Sequence, residues 1–343
     1  MVISSVYGTM SPCQRTKFGL DGGMFTSKWW KLPYEMGNRL ILFERNRIDD
    51  VRWDESIRTA HNGNVYAYSW YLDAISPNWC ALATEDYTAV MPLPFSRKYF
   101  IDYVFTPPYC QQLGVFSKHQ LGEDVFLAFI ESIPLHFRFV DLNLNHANSK
   151  FQLNVTSYKN RNLILNLNGT ADEIKQLYST NHKRNIRKCE EAGLVTMESD
   201  NVDGVIAMFE SDRGGRLGNY PDKKHIIFRE LYRQANERKM AKVYLTMMPD
   251  GKPVAGAVFF LSHEGACFIF SGNSEEGKAH SAMHGLIHHF IVENAGKYSF
   301  LDFEGSNNDS LARFYSGFGA SESVYLRITR NLLPPPWCWF KKG

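Results

Sequence analysis

Two halves of this chain pass through the same order of secondary-structure signals, and that repetition limits the folds open to it. In the first half ALATED and TAVMPLPFS (81–96) predict a hairpin, IDYVF (101–105) a strand, EDVFLAFIESI (123–133) a helix and FRFVDLNLN (137–145) another strand. In the second, AKVYLTMM (241–248) and PVAGAVFFLS (253–262) flank the turn PDGK (249–252), whose Asp-Gly accepts a positive backbone angle. ACFIFSG (266–272) then predicts a strand, about 279–295 a helix, YSFLDFEG (298–305) a strand, about 309–316 a short helix and VYLRITR (324–330) a closing strand. Phe139-Val140-Asp141 and Phe300-Leu301-Asp302 fall at the same point of this order, each after a helix and each followed by asparagines. The expectation is a duplicated α/β (α+β) architecture, each copy a mixed sheet flanked by helices.

Between the halves lie further helix signals. Thr170 and Glu173 have capping-box spacing, in which each side chain satisfies a backbone N–H of the helix start. NHKRNIRKCEEAG (181–193) predicts a helix ending at Gly193, and about Pro221 to Arg238 another.

At 343 residues the chain has room for two domains, and 44% hydrophobic, 14% aromatic and 22% charged residues describe a globular protein. Thirty-eight basic against 36 acidic residues exclude the broad positive field of a general nucleic-acid binder. Six scattered cysteines without a CxxC pair suggest neither a zinc site nor a disulfide framework. No apolar run reaches the length of a membrane span or a secretion signal, so a cytoplasmic location is expected. Residues 1–35 show no periodicity and read as an extension, with Met24 or Met36 as an alternative start. The tail 331–343, NLLPPPWCWFKKG, is expected to dock on the protein's own body, with peripheral membrane contact as the other reading.

Four segments, in order, resemble the FemAB/FemX group of peptidoglycan-bridge transferases and the related BioF2-like acetyltransferases, which are tandem folds of the GCN5-related N-acetyltransferase (GNAT) type. WDESIRTAHNGNVYAYSWYLD (53–73) is similar to the family's opening helix and strand, and PPYCQQLGVF (107–116) to its Pro-Tyr-Gly loop. NHKRNIRKCEEAGL (181–194) is similar to the Arg-rich helix opening its second domain, and LDFEGSNNDSLARFYSGFGA (301–320) to its closing signature. The resemblance implies two GNAT-like domains, 36–160 and 161–330, each with a mostly antiparallel sheet. It also implies acyl or aminoacyl transfer, with acyl-coenzyme A or aminoacyl-tRNA as co-substrate, no tightly bound cofactor, and a small-molecule or peptide amine as acceptor.

Acyl transfer to an amine requires a held donor, a neutral nitrogen, stabilisation of the oxyanion and a proton for the leaving group. The GNAT resemblance puts the donor loop at 273–282, where Gly277 would let the backbone approach phosphate and Lys278, Ala279, His280 and Ser281 would line it. Glu275 and Glu276 oppose an anionic ligand there, and the usual glycine-rich fingerprint is missing. Asn308 and Tyr315, seven residues apart, match the GNAT pantetheine-side asparagine and the tyrosine that protonates the departing thiolate. Tyr315 stands where the Fem pattern has lysine, which favours a coenzyme-A-like donor over transfer RNA.

Asp302 and Glu304 alternate with Leu301 and Phe303, so a strand would turn both carboxylates to one side: in a cleft either could take the acceptor's proton, on an outer face both would be solvated. Lys183, Arg184, Arg187 and Lys188 gather on about one and a half helical turns, and Arg213 with Arg216 forms a basic loop around Gly214 and Gly215. The resemblance makes Lys183, Arg184, Arg187 and Arg213 contacts for phosphates of tRNA or a nucleotide-linked acceptor, and Tyr109 a further substrate-binding residue. His280, His284 and His288 follow at four-residue intervals, but without an HExxH motif no metal is expected. A tandem GNAT scaffold that binds without turnover is the non-enzymatic alternative.

Overall fold

The computed structural model describes residues 39–217, 222–305 and 307–340, except the side chains of 212–217, 222–223 and 339–340. The expected extension 1–35 lies outside the described residues. The first half comprises β1 (Leu40–Glu44), α1 (Asp50–Thr59), α2 (Ser69–Ile75), β2 (Trp79–Thr84), β3 (Ala89–Lys98), β4 (Ile101–Phe105), β5 (Phe116–Ser117), α3 (Glu123–Glu131), β6 (Phe137–Asn143) and β7 (Thr156–Asn166). The second half begins with α4 (Ala171–Gln176), α5 (Thr180–Glu191), β8 (Val195–Ser199), α6 (Val202–Leu217), α7 (Asp222–Glu237), β9 (Ala241–Met247), β10 (Pro253–Ser262) and β11 (Gly265–Asn273). It ends with α8 (Glu275–Ala279), α9 (Ala282–Asn294), β12 (Phe300–Asp302), α10 (Asp309–Ser316), β13 (Ser321–Asn331) and α11 (Trp337–Phe340).

Local chemistry explains most boundaries. Thr170 and Glu173 form the expected capping box, and Gly193 with φ 71° follows the end of α5. Gly251 takes φ 84° in the β9–β10 turn. The helix expected over about 279–295 is α9, which follows the short α8 and Ser281 with its left-handed backbone (φ 59°). Three readings need correction. Residues 53–73 hold α1 and α2 rather than a helix and a strand. The basic loop at 213–216 is the last part of α6, so Arg213 lies on a helix, with its side chain outside the described residues. The strand expected over 298–305 stops at Asp302, and Glu304 turns away with φ 51°.

The sheet order is β1-β2-β3-β4-β6-β13-β7-β12-β11-β10-β9-β8, with β5 paired to β3. In each half a parallel pair surrounds a helix: β4 with β6 across α3, and β11 with β12 across α9. The halves then exchange strands. The first half's β7 pairs with β12 of the second, and the second half's β13 pairs with β6 of the first, while β7 and β13 pair with each other from Thr156↔Thr329 to Ile164↔Ser321. The 160/161 boundary expected from sequence therefore falls inside β7.

Two cores lie on opposite faces of the second half's sheet. Phe259 and Phe260, adjacent on β10, point to different ones, as strand alternation requires. Phe259 stacks on Phe290 of α9 at 3.8 Å, in the core that also holds Leu301, Phe303 and Tyr315. Phe260 joins the larger core, where α6 and α7 pack with first-half residues such as Trp53 and Tyr71. The backbone of α6 lies directly on β11. A Cβ at Gly272 would fall 2.5 Å from Val205 O and 2.6 Å from Phe209 N. Backbone atoms cannot rotate aside, so Gly272→Ala is expected to destabilise the protein by about 1–3 kcal/mol in urea unfolding.

Candidate functional site

The two parallel pairs differ where it matters. In the first half β4 and β6 stay paired through Phe105↔Asp141, and the connection continues by Thr106 N–H donating to Asp141 O (3.1 Å) and the Leu113↔Leu144 bridge. Asp141 is held there by two guanidinium nitrogens of Arg327, Nε at 2.6 Å and Nη2 at 2.7 Å. In the second half β11 and β12 pair only from Gly265↔Phe300 to Cys267↔Asp302. Beyond that point β11 continues to Asn273 without β12, and its register with β10 skips Ile269, the mark of a bulge. The strands diverge immediately after Asp302.

One face of this divergence is aromatic. Tyr315, projecting from α10, stacks on Phe303 at 4.5 Å with nearly parallel rings and meets Phe268 of β11 edge-on at 6.2 Å. Tyr315, expected from sequence as a proton donor, is buried against these rings, 6% exposed.

The opposite face carries the acids and a bridge of amides. Asp302 is buried and accepts hydrogen bonds from Asn162 Nδ2 (2.8 Å) and Glu304 N (2.9 Å). Asn162 Oδ1 accepts from Gln111 Nε2 (3.4 Å), and Gln111 Oε1 from Gln112 Nε2 (2.8 Å). The chain runs from the 107–116 loop of the first half through β7 to the acid of the second. Burial pushes the Asp302 carboxyl up to about 6, partly offset by those two donors, and burial pushes Glu304 up to about 8. The residue Glu304 is half-buried, its Oε1 enclosed. Both acids act electrostatically on the buried Tyr325 of β13, whose pKa burial raises first of all. Positive φ at Glu304 is uncommon for a side chain with Cβ and turns it out of the strand direction.

Asp302 also lines a cavity of about 360 Å³ between the halves, with Asn64, Tyr66 and Gln112 on one wall and Asn166 and Cys267 on the other. Tyr109 heads the neighbouring loop with φ 61°, its ring against Phe228 (5.2 Å) and Phe270 (6.4 Å) and its carbonyl accepting from Tyr71 Oη. It therefore meets β11 beyond the divergence point. Nothing in the spacing of the sequence signalled Asn162 or Gln111, which matter only because β7 is exchanged into the second half.

The remaining expected residues are engaged elsewhere. Gly277 N–H already donates to Ser274 Oγ (3.0 Å), and a Cβ there would lie 2.3 Å from Val254 O, so packing rather than phosphate approach accounts for the glycine. Lys278 is exposed and pairs with Glu275 (2.8 Å), Ala279 is exposed, His280 N–H donates to Glu276 O, and Ser281 Oγ donates to Asn185 Oδ1 (3.1 Å). Asn308 caps α10 by accepting from Ser310 N and Leu311 N. Lys183, Arg184 and Arg187 lie on the exposed side of α5 and do not line the cavity; Arg184 donates to Asn181 Oδ1 (2.7 Å). His284 and His288 pack separately, against His182 and Phe314 and against Tyr178, and burial pulls each imidazole down to about 4.

Residues 178–309 match the Acetyltransferase (GNAT) domain family. Among solved structures, FemX is similar over 82% of this chain and 96% of its own, at 11% identity and a TM-score of 0.62. The C-terminal domain of a putative lysylphosphatidylglycerol synthetase from Agrobacterium fabrum (84% and 94%, 11% identity) has a TM-score of 0.53. A tandem GNAT protein from the clavulanic acid biosynthesis pathway (86% and 99%, 11% identity) has a TM-score of 0.51. No curated protein is significantly similar in sequence. Among the described residues no helix is long and apolar enough to cross a membrane. The second half thus carries a match to the GNAT domain family over residues 178–309, and the fold of the chain is similar to that of FemX.

Proposed function

We propose that the protein is an N-acyltransferase that moves an acyl group from a thioester donor to an amine. The observation that carries this reading is the divergence of β11 and β12 between Tyr315 on one face and Asp302 with Glu304 on the other. A thioester entering that opening from the Tyr315 side would present its carbonyl to an amine held on the carboxylate side. Glu304 takes a proton from the amine as its nitrogen attacks; the C–N bond forms, the C–S bond breaks, and Tyr315 protonates the departing thiolate. A carboxylate pushed up to about 8 is better matched to an amine than an ordinary one. Asp302, fixed by Asn162, positions the turn through its bond to Glu304 N–H.

A panel of acyl-coenzyme A species tests this by thermal shift. A donor at about a hundred times its dissociation constant should add roughly 2.7 kcal/mol of stability; no response to any thioester contradicts the donor class. The exposed cations of α5 support a second reading, in which aminoacyl-tRNA is the donor. Retention of tRNA through moderate salt, without any thioester response, would favour it, because nonspecific phosphate contacts fade steeply with salt.

A further inference from the structure

Far from this site, the tip of the β3–β4 hairpin breaks the preferences of its own turn. Lys98 pairs with Ile101, which leaves Tyr99 and Phe100 as a two-residue loop, and both have positive φ, 49° and 63°. Such a loop favours Asn-Gly, because side chains with Cβ are strained at these angles. Here the two positions carry aromatic rings instead, 71% and 99% exposed. Neither ring is buried in a core, so their display is the feature to explain.

The same end of the sheet gathers more apolar surface. Trp337, half exposed, stacks beside Tyr99 at 6.0 Å; Leu135 precedes β6 and is 68% exposed; Leu332, exposed, is tied to Arg138 O through its N–H. Cations frame these groups. Lys98 lies 5.4 Å from the Tyr99 ring, Arg138 is exposed, and Arg97 is matched by Asp102, so Lys98 and Arg138 remain in excess. Lys341 and Lys342 follow in the sequence. At the tip itself both rings stand in solvent on a two-residue loop. Aromatic rings with a polar edge, ringed by lysine and arginine, suit the boundary between headgroups and acyl chains, where anionic lipid complements the cations.

We infer that this end of the molecule, led by Tyr99 and Phe100 and flanked by Trp337, docks on an anionic lipid surface. The full chain should float with phosphatidylcholine vesicles containing one quarter phosphatidylglycerol, and much less with phosphatidylcholine alone. The double variant Tyr99→Asn, Phe100→Gly supplies the residues the turn prefers, so it should fold with an equal or higher thermal midpoint yet bind these vesicles about tenfold less or weaker. Trp337→Ala should lower binding by a smaller factor. Flotation with neither vesicle type, as expected if a protein partner covers the tip, or undiminished flotation of the double variant, would overturn the proposal.

Discussion

Glu304→Gln is expected to lower the rate of acyl transfer by about 10²–10⁴-fold while leaving donor binding nearly unchanged. The amide keeps the shape of the protonated acid but cannot accept the amine's proton. In the wild type kcat/KM should rise with pH and level off near the raised Glu304 value of about 8, and the variant should lose that limb. The same shift has a consequence for stability whose sign is fixed. The native state keeps this proton up to about pH 8, whereas an unfolded chain releases it near 4.5. Between those values the native state binds more protons than the unfolded one, so the free energy of unfolding falls as pH rises. The contribution is complete below 4.5 and is lost as pH passes 8. Asp302, raised to about 6, acts in the same direction over a narrower window. Glu304→Gln cannot ionise, so its thermal midpoint should gain on the wild type from pH 5 to pH 9. An unchanged rate in the variant would remove Glu304 from the chemistry; a midpoint difference independent of pH would remove the raised carboxylate.

Separating the halves is expected to abolish folding of both. A cut between Leu167 and Asn168 strands β7 in the first fragment, where its partners β12 and β13 are missing, and leaves β12 in the second without its neighbour. The second fragment also exposes the faces of α6 and α7 that pack with first-half residues in the larger core. Neither fragment should unfold cooperatively by itself, and the two co-expressed should copurify. Two independently folding domains would behave oppositely, each giving its own transition in calorimetry.

Much of this fold was legible because local rules and tertiary packing agree. The capping box at Thr170, the Asp-Gly turn and the alternation of the β9–β10 hairpin each specify their own element. The strand exchange was not legible, for β7 looks the same whichever half it joins and only long-range pairing decides. Arg213 was misread because two glycines suggested a loop, yet α6 continues through them against β10 and β11. In the site, the paired position of Asp141 and Asp302 was visible as a repeat, but their opposite fates were not. Arg327 neutralises the first, while burial among neutral amides raises the second. Gly277 and Asn308 have residue types suited both to ligand contact and to packing or capping, and composition alone does not separate those uses.

Amide hydrogen exchange with and without saturating acetyl-coenzyme A addresses the proposed donor opening most directly. Added protection is expected in 268–273 and 303–318, the segments flanking the divergence of β11 and β12, with little change at the amides of β4 and β6, which stay paired. Protection confined to the first half, or none at saturation, would contradict a thioester donor between these strands.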